Sequence, residues 1–379
     1  MDQRTYKLRD FAQDVSVAVK DAQSHHLDKF VGLEHYDSGE PVITRYTDTS
    51  LITSSVKEFH KNDILIARRN VYLKRAGIAF FDGLTSGDSI ILRIFDDSDK
   101  RTGIPKEDAV RIIPFVLNSN DFWAYANKHA DGMNSKRISK EMLYDYEFSL
   151  PSLSEIRQLY SKLWAAYNLK DSYKKLLSAT DEMVKSQFIE MYKDLLVNGK
   201  IEDLVDRKIA SVKKSYHDSD EIEYIDISSI DNISNTIVET TKYEVSNAPS
   251  RAQQCVKKGD ILVSTVRPIN RNIAVVTRGL HNLVASTGFC VLRPKEEYRE
   301  YLLSIVKSDA YTEHMCDKAS GGLYPAVNNG DVFSYGIHIP NKELAQKVST
   351  IHHQADKSEF ELRKSIEAID QVIKSLINN

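Results

Sequence analysis

Apolar residues recur along this chain in two rhythms. Short runs of continuous or alternating aliphatic residues, bounded by Gly, Asn and Asp, read as β-strands, and two long stretches return an apolar group every three to four positions. The first long stretch, from about Ser154 to about Leu196, carries Ile156, Tyr160, Leu163, Tyr167, Tyr173, Leu177, Val184, Phe188, Met191 and Leu195 at near-heptad steps, with neither Pro nor Gly inside. It predicts a helix of roughly 60 Å, at ~1.5 Å per residue. The second runs from about Lys342 to the C-terminus, where Leu344, Val348, Ile351, Ala355, Leu362, Ile369 and Leu376 alternate steps of four and three, interrupted at Ser358 and Ser365. So narrow a seam calls for a partner helix. Either the two helices pair antiparallel with one another, or each packs on another protein; periodicity alone does not decide.

The remaining sequence repeats itself once, at an offset of about 190–200 residues, which is the length of a domain duplication and not of a solenoid repeat. Asn62-Asp63-Ile64-Leu65-Ile66 returns as Gly259-Asp260-Ile261-Leu262-Val263. Ser86-Gly87-Asp88-Ser89-Ile90-Ile91-Leu92-Arg93 returns as Ser286-Thr287-Gly288-Phe289-Cys290-Val291-Leu292-Arg293, and Tyr146 to Leu159 returns as Tyr335 to Val348, with Pro151 matched by Pro340. The order of all three is kept. The expected fold class is therefore α+β: two similar mixed α/β domains at 1–152 and 198–340, each followed by a helical spacer, at 153–197 and 341–379.

Composition changes this picture little. With 379 residues, 41% hydrophobic and 28% charged, the chain has the make-up of a folded globular protein of two domains. Its 51 Lys+Arg against 54 Asp+Glu give a net charge of -3, so attraction to a polyanion must come from local segregation of charge. Cys255, Cys290 and Cys316 form neither a CxxC pair nor an even set, which points to a reducing cytoplasm and supports neither a disulfide framework nor a zinc ribbon. Asp2, Arg4, Lys7, Arg9 and Asp10 stand where a secretory leader needs apolar residues, and no run approaches the ~20 apolar residues of a membrane span, so neither export nor insertion is expected.

Local charge is segregated in one place above all. Arg68-Arg69-Asn70-Val71-Tyr72-Leu73-Lys74-Arg75 follows the first Asp-Ile-Leu strand, and Arg267-Pro268-Ile269-Asn270-Arg271-Asn272 follows the second. Arginine pairs bidentately with guanine, asparagine with adenine, and lysine neutralises phosphate, so Arg68, Arg69, Asn70, Lys74, Arg75, Arg267, Asn270 and Arg271 are candidate DNA contacts. The loops Gly132 to Ile138 and Ser320 to Tyr324 lie just before each return to the helices; their small residues let backbone N–H groups approach phosphate, and Lys136, Arg137 and Tyr324 join the candidates. Each of these segments has a plainer reading as a solvated surface loop. His352-His353 is not a metal pair, because adjacent helical positions diverge by ~100°.

Enzymatic signatures are missing from the sequence. No proline is followed by proline, which excludes the Asp/Asn-Pro-Pro-Tyr/Phe signature of amino-methyltransferases, and none precedes aspartate, as the common nuclease core requires. Gly199-Lys200 continues into Ile201 instead of Ser or Thr, so there is no P-loop. Asp96-Asp97 and Glu296-Glu297 lie in polar, turn-like stretches that solvation explains. No catalytic residue and no cofactor is expected on this chain.

Almost the whole chain resembles the DNA specificity subunits of type I restriction-modification enzymes. The resemblance is carried by the Gly259-Asp260-Ile261-Leu262 turn and strand, Ser320-Gly321-Gly322-Leu323-Tyr324-Pro325 before Asn328-Asn329-Gly330-Asp331-Val332, Ile339-Pro340 opening a helix, and Lys185-Ser186-Gln187-Phe188-Ile189-Glu190-Met191 closing the central one. It implies two target recognition domains, an antiparallel coiled coil, a bipartite non-palindromic double-stranded DNA target and docking of two modification subunits. Restriction/translocase subunits complete the complex, and S-adenosylmethionine, Mg²⁺ and ATP belong to the partners. The first half departs from the pattern: Asn62 replaces a glycine, and Asn134-Ser135-Lys136-Arg137-Ile138 stands where a Ser-Gly-Gly loop is expected. The chain is short for this family and starts directly in the first domain, which implies trimmed helical regions. Two readings of other classes stand beside this one: a coiled-coil scaffold joining two protein-binding domains, and a self-contained methyltransferase or nuclease with unfamiliar motifs.

Overall fold

The computed structural model describes residues 4–19, 27–52, 55–133, 135–232, 234–277, 279 and 282–378. The chain forms two compact units, one made of residues 1–173 with 364–379, the other of residues 174–363.

The first unit is built on two five-stranded sheets. One has the order Val17–Val19, Val56–Phe59, Gly83–Ser86, Lys29–Val31, Thr47–Asp48; the other has the order Ala12–Asp14, Ser89–Ile94, Ile64–Ala67, Ala76–Ala79, Val42–Ile43. The strand Ile64–Ala67 is buried along its whole length because both its faces are covered. Ile64 and Ile66 enter the core shared with the helices Lys106–Val116 and Asn120–Lys128, whereas Leu65 and Ala67 enter a second core with Val31, Phe59 and Ile91. That alternation is the period-two geometry of a strand. A further pair, Arg4–Lys7 antiparallel to Glu147–Leu150, closes the unit just before the long helix begins.

The second unit repeats the plan. Ile261–Ser264 lies between Ile273–Val275 and Phe289–Leu292, with Ile261 and Val263 on one core and Leu262 on another. Gly199–Lys200 pairs with Gly336–Ile337 in the place of the first unit's closing pair. In both units the strand antiparallel to the one after the Asp-Ile-Leu turn brings an arginine, within it or just beyond it, back to the aspartate. Asp63 accepts from Arg93 Nε (2.8 Å) and Nη2 (2.7 Å), and Asp260 accepts from Arg293 Nε (2.9 Å) and Nη2 (2.7 Å). Each aspartate also caps the turn behind it, at the backbone N–H of His60 or Lys257. Asn62 and Gly259 both adopt positive φ, 73° and 93°. Asparagine tolerates this left-handed region, so its replacement of glycine leaves the turn unchanged. Asp260 is completely buried; Asp260→Ala leaves Arg293 without its partner and is expected to cost about 3–5 kcal/mol. A urea unfolding midpoint indistinguishable from that of the unsubstituted protein would contradict this.

The long helices span Leu153–Tyr192 and Lys342–Asn378. The central one ends four residues before the expected Leu196, because the chain must leave it to form the Gly199–Lys200 strand pair. Their ends belong to the units rather than standing apart from them. Ile156, Leu163 and Tyr167 share the first unit's core with Ile373, and Lys170 there is clasped between Glu40 (2.6 Å) and Asp370. Burial disfavours the Lys170 charge, yet hydrogen bonds to the two carboxylates outweigh it and its pKa is raised. In the second unit Phe188 and Val348 share one core, and Asp181 is hydrogen-bonded to Glu359, so the central helix ascends as the C-terminal helix descends. The helices therefore pair with one another, antiparallel. Among the described residues no helix is long and apolar enough to cross a membrane.

The Asp181–Glu359 contact gives the helix pair a pH dependence. Burial first, and then the Asp181 and Asp356 carboxylates, raise the Glu359 pKa against the lowering effect of Arg363. A carboxyl whose folded pKa is raised contributes stability below its ordinary range and loses it as pH rises through the folded value. The urea midpoint is expected to fall across that window, and Glu359→Gln to flatten the fall, with a gain of a few tenths of a kcal/mol above it, the scale of a like-charge helix pair. A slope unaltered by Glu359→Gln would contradict the assignment.

Candidate nucleic-acid interface

In the first unit, residues 68–75 connect the antiparallel strands Ile64–Ala67 and Ala76–Ala79, and backbone hydrogen bonds fasten them to the turn at Asp88 and to the loop at 131–138. Arg68 N–H donates to Asp88 O (3.0 Å), Ile138 N–H to Arg68 O (3.0 Å) and Asn70 N–H to Lys136 O (2.7 Å). Arg69 and Arg137 thereby become bridge partners, although 68 residues separate them. Their guanidinium groups flank one carboxylate, Asp88, at 3.9 and 3.5 Å, and Arg69 Nε also donates to Ser135 Oγ (2.8 Å). Arg69, Lys74, Lys136 and Arg137 are exposed. Arg75 turns inward: it donates to Leu33 O (2.9 Å) and Arg69 O (3.1 Å), and burial lowers its pKa from the ordinary arginine value. It shapes the loop from within. Arg68 and Asn70 are half-buried, with Arg68 Nε and Asn70 Oδ1 enclosed.

The second unit repeats these three bonds, two between its loops and one to the turn at Gly288. Thr265 N–H donates to Gly288 O (2.9 Å), Val327 N–H to Thr265 O (2.9 Å) and Arg267 N–H to Pro325 O (2.7 Å). Arg267 therefore occupies the place of Asn70, and Arg271 that of Lys74. The side chains differ although the backbone does not. Arg267 lies over the Tyr324 ring, 4.6 Å from its centroid, and donates to Leu323 O (3.1 Å). Arg271 pairs with Asp309 (2.6 Å), and the Asn270 carbonyl accepts from Asn232 (3.2 Å).

The loops at 131–138 and 320–327 also match. Asp131 bridges Arg137 as Ser320 bridges Ala326, and Gly132 (φ 120°) takes the place of Gly321 (φ 106°). A Cβ on Gly132 would come within 2.8 Å of Ser135 O, so glycine is required there. The first half's counterpart of Ser320-Gly321-Gly322 is thus Asp131-Gly132-Met133, three residues ahead of the expected Asn134-Ser135-Lys136; Asn134 itself lies outside the described residues.

The structure brings together Arg69, Asn70, Lys74, Lys136 and Arg137 in one unit and Arg267, Asn270, Arg271 and Tyr324 in the other. Sequence reasoning missed Asp88, whose position in the second repeat is Gly288, and Lys57, which donates to Ser89 O (2.6 Å) close to Arg68 and has its pKa lowered mainly by burial. For Asp88 the signal was present in that mismatch between the repeats. His352 hydrogen-bonds Ser304 Oγ (2.8 Å) in the packing of the C-terminal helix, and burial lowers its pKa.

The family match falls chiefly on the second unit. The family model described as type I restriction modification DNA specificity domain matches residues 196–371. The type I restriction enzyme HindI specificity subunit of Haemophilus influenzae is 33% identical over 144 residues, 36% of this chain and 31% of that relative, so the match spans about a third of the relative's length. The type I restriction-modification S subunit from M. genitalium superimposes with a TM-score of 0.52 at 11% identity, covering 100% of this chain and 95% of that one, which shows a shared fold. A chain solved in work on complex assembly and conformational transition of a type I system gives 0.48 at 14% identity, over 99% and 96% of the two chains. Residues 196–371, which hold the Asp260–Arg293 turn, the second ribbon loop and its Gly321 partner loop, are thus similar to the type I restriction modification DNA specificity domain.

Proposed function

We propose that this chain is the non-catalytic specificity component of a type I restriction-modification complex, and that its two units read separate halves of a bipartite, non-palindromic DNA target. The observation that carries this reading is the repeated clasp: two loops, joined by the same two backbone bonds in both units and tied by a third to the turn at Asp88 or Gly288, present different side chains. A common frame with different reading groups suits two unlike half-sites. Methyl transfer and cleavage then belong to two modification subunits and to restriction subunits, which hold S-adenosylmethionine, Mg²⁺ and ATP. Leu176 and Met183, seven residues apart and exposed on the part of the central helix in the second unit, offer an apolar line on which a partner helix packs.

Alanine substitutions within the assembled complex test the interface. Arg69→Ala or Arg137→Ala is expected to cost ~1–3 kcal/mol on the target and to relax one position of one half-site. Lys74→Ala or Lys136→Ala should instead weaken all sequences alike and reduce the salt slope by about one unit. Unchanged affinity and slope in all four would place the DNA surface elsewhere.

A further inference from the structure

The two ribbon loops share a feature that their basic residues do not explain. Each consists of a single 3-10 turn, Val71–Leu73 or Pro268–Asn270, entered and left through left-handed backbone: Asn70 (φ 55°), Lys74 (φ 50°), Arg267 (φ 49°) and Arg271 (φ 51°). These are four of the six non-glycine residues with positive φ among the described residues. For lysine and arginine this conformation is costly, and it persists only where the surroundings impose it. Here they do: Val71 is buried beneath the first tip, while Arg267 and Arg271 are tied to Leu323 and Asp309 on either side of the second. What the strained turn displays at its middle position, in both units, is a large apolar side chain in solvent. Tyr72 is 60% exposed and Ile269 66%.

We propose that Tyr72 and Ile269 are specificity-determining residues, each placed against a thymine methyl group in the major groove of its own half-site. The inference rests on the DNA-reading role proposed above. A two-stranded ribbon fits the ~12 Å width of the major groove, and the thymine methyl is the one apolar feature among the base edges there. An apolar tip flanked by cations gains nothing from phosphate. Its contact is therefore with the bases, and its identity, aromatic in one unit and aliphatic in the other, sets how one A·T pair in each half is read.

The test uses the complex with its modification subunits and a duplex carrying its methylation motif, with thymines replaced by uracil one at a time. The unsubstituted complex is expected to lose roughly fourfold in affinity at one uracil position in each half-site, the value of one buried methyl group. Tyr72→Ala should abolish that sensitivity in one half-site and Ile269→Ala in the other, while Tyr72→Phe keeps it; all three retain the unsubstituted melting temperature, since the tips are exposed. Sensitivity that persists in both alanine variants overturns the proposal, as does a half-site with no A·T pair or indifference to uracil throughout. Enhanced reactivity of an unstacked base opposite the tip would replace the methyl contact with a wedge. Failure of the unsubstituted complex to bind any DNA would instead overturn the DNA-reading role itself.

Discussion

The purified chain, mixed with labelled S-adenosylmethionine and unmodified host DNA, is expected to transfer no methyl group, and modification subunits are expected to restore transfer in a complex holding two of them. The sequence lacks the amino-methyltransferase signature and a P-loop, and under the proposed function the chemistry arrives with partners. Docking is expected along the central helix, where Leu176 and Met183 lie exposed one heptad apart. Replacing both by glutamate puts two charges into an apolar interface, where an uncompensated buried charge costs about 3–5 kcal/mol and weakens assembly by more than a hundredfold. Light scattering of the mixture reads the stoichiometry directly. A one-to-one complex, or methylation by the chain alone, would contradict the reading, and a double variant that assembled normally would move the docking site off this helix.

The second large effect concerns the division of labour between the units. Exchanging residues 1–150 for the matching segment of a relative is expected to change one half of the methylated motif completely and to leave the other half and the unread gap alone. The boundary follows from the structure: Arg4–Lys7 pairs with Glu147–Leu150, so a cut at Pro151 keeps that strand pair together. Ile156, Leu163, Tyr167 and Ile373, which stay behind, form part of the core of the exchanged unit. A donor with smaller apolar residues facing them would leave a cavity, at about 2–5 kcal/mol for each leucine-sized side chain lost. Stability of the hybrid should therefore be checked before its motif is read. Alteration of both half-sites in a stably folded hybrid would contradict the assignment of one reader to each unit.

Much of this architecture was legible in the sequence because it depends on patterns that survive substitution. The helix seams needed only apolar spacing, and the Asp-Ile-Leu turn needed an aspartate, a residue tolerant of left-handed backbone, and an arginine some thirty positions on. The repeat located both ribbon loops. What stayed hidden depends on contacts between distant segments. Nothing in Arg75 distinguishes it from Arg69, yet the one donates inward to Leu33 and Arg69 carbonyls while the other faces solvent. The loop register in the first half slipped by three residues because Asp131-Gly132-Met133 shares only its glycine with Ser320-Gly321-Gly322, and positive φ at Gly132, not composition, defines the turn. The pairing of the two long helices was open from periodicity and was decided by Lys170 with Asp370 and Asp181 with Glu359, which are side-chain contacts.

Methylome sequencing of a host carrying this chain and of the same host without it tests the central claim most directly. Two readers on one frame predict a methylated motif of two short, unlike specified patches separated by unread positions, and its complete disappearance when the chain is removed. A single uninterrupted motif, a palindromic one, or a methylome unchanged by the loss of the chain would contradict it.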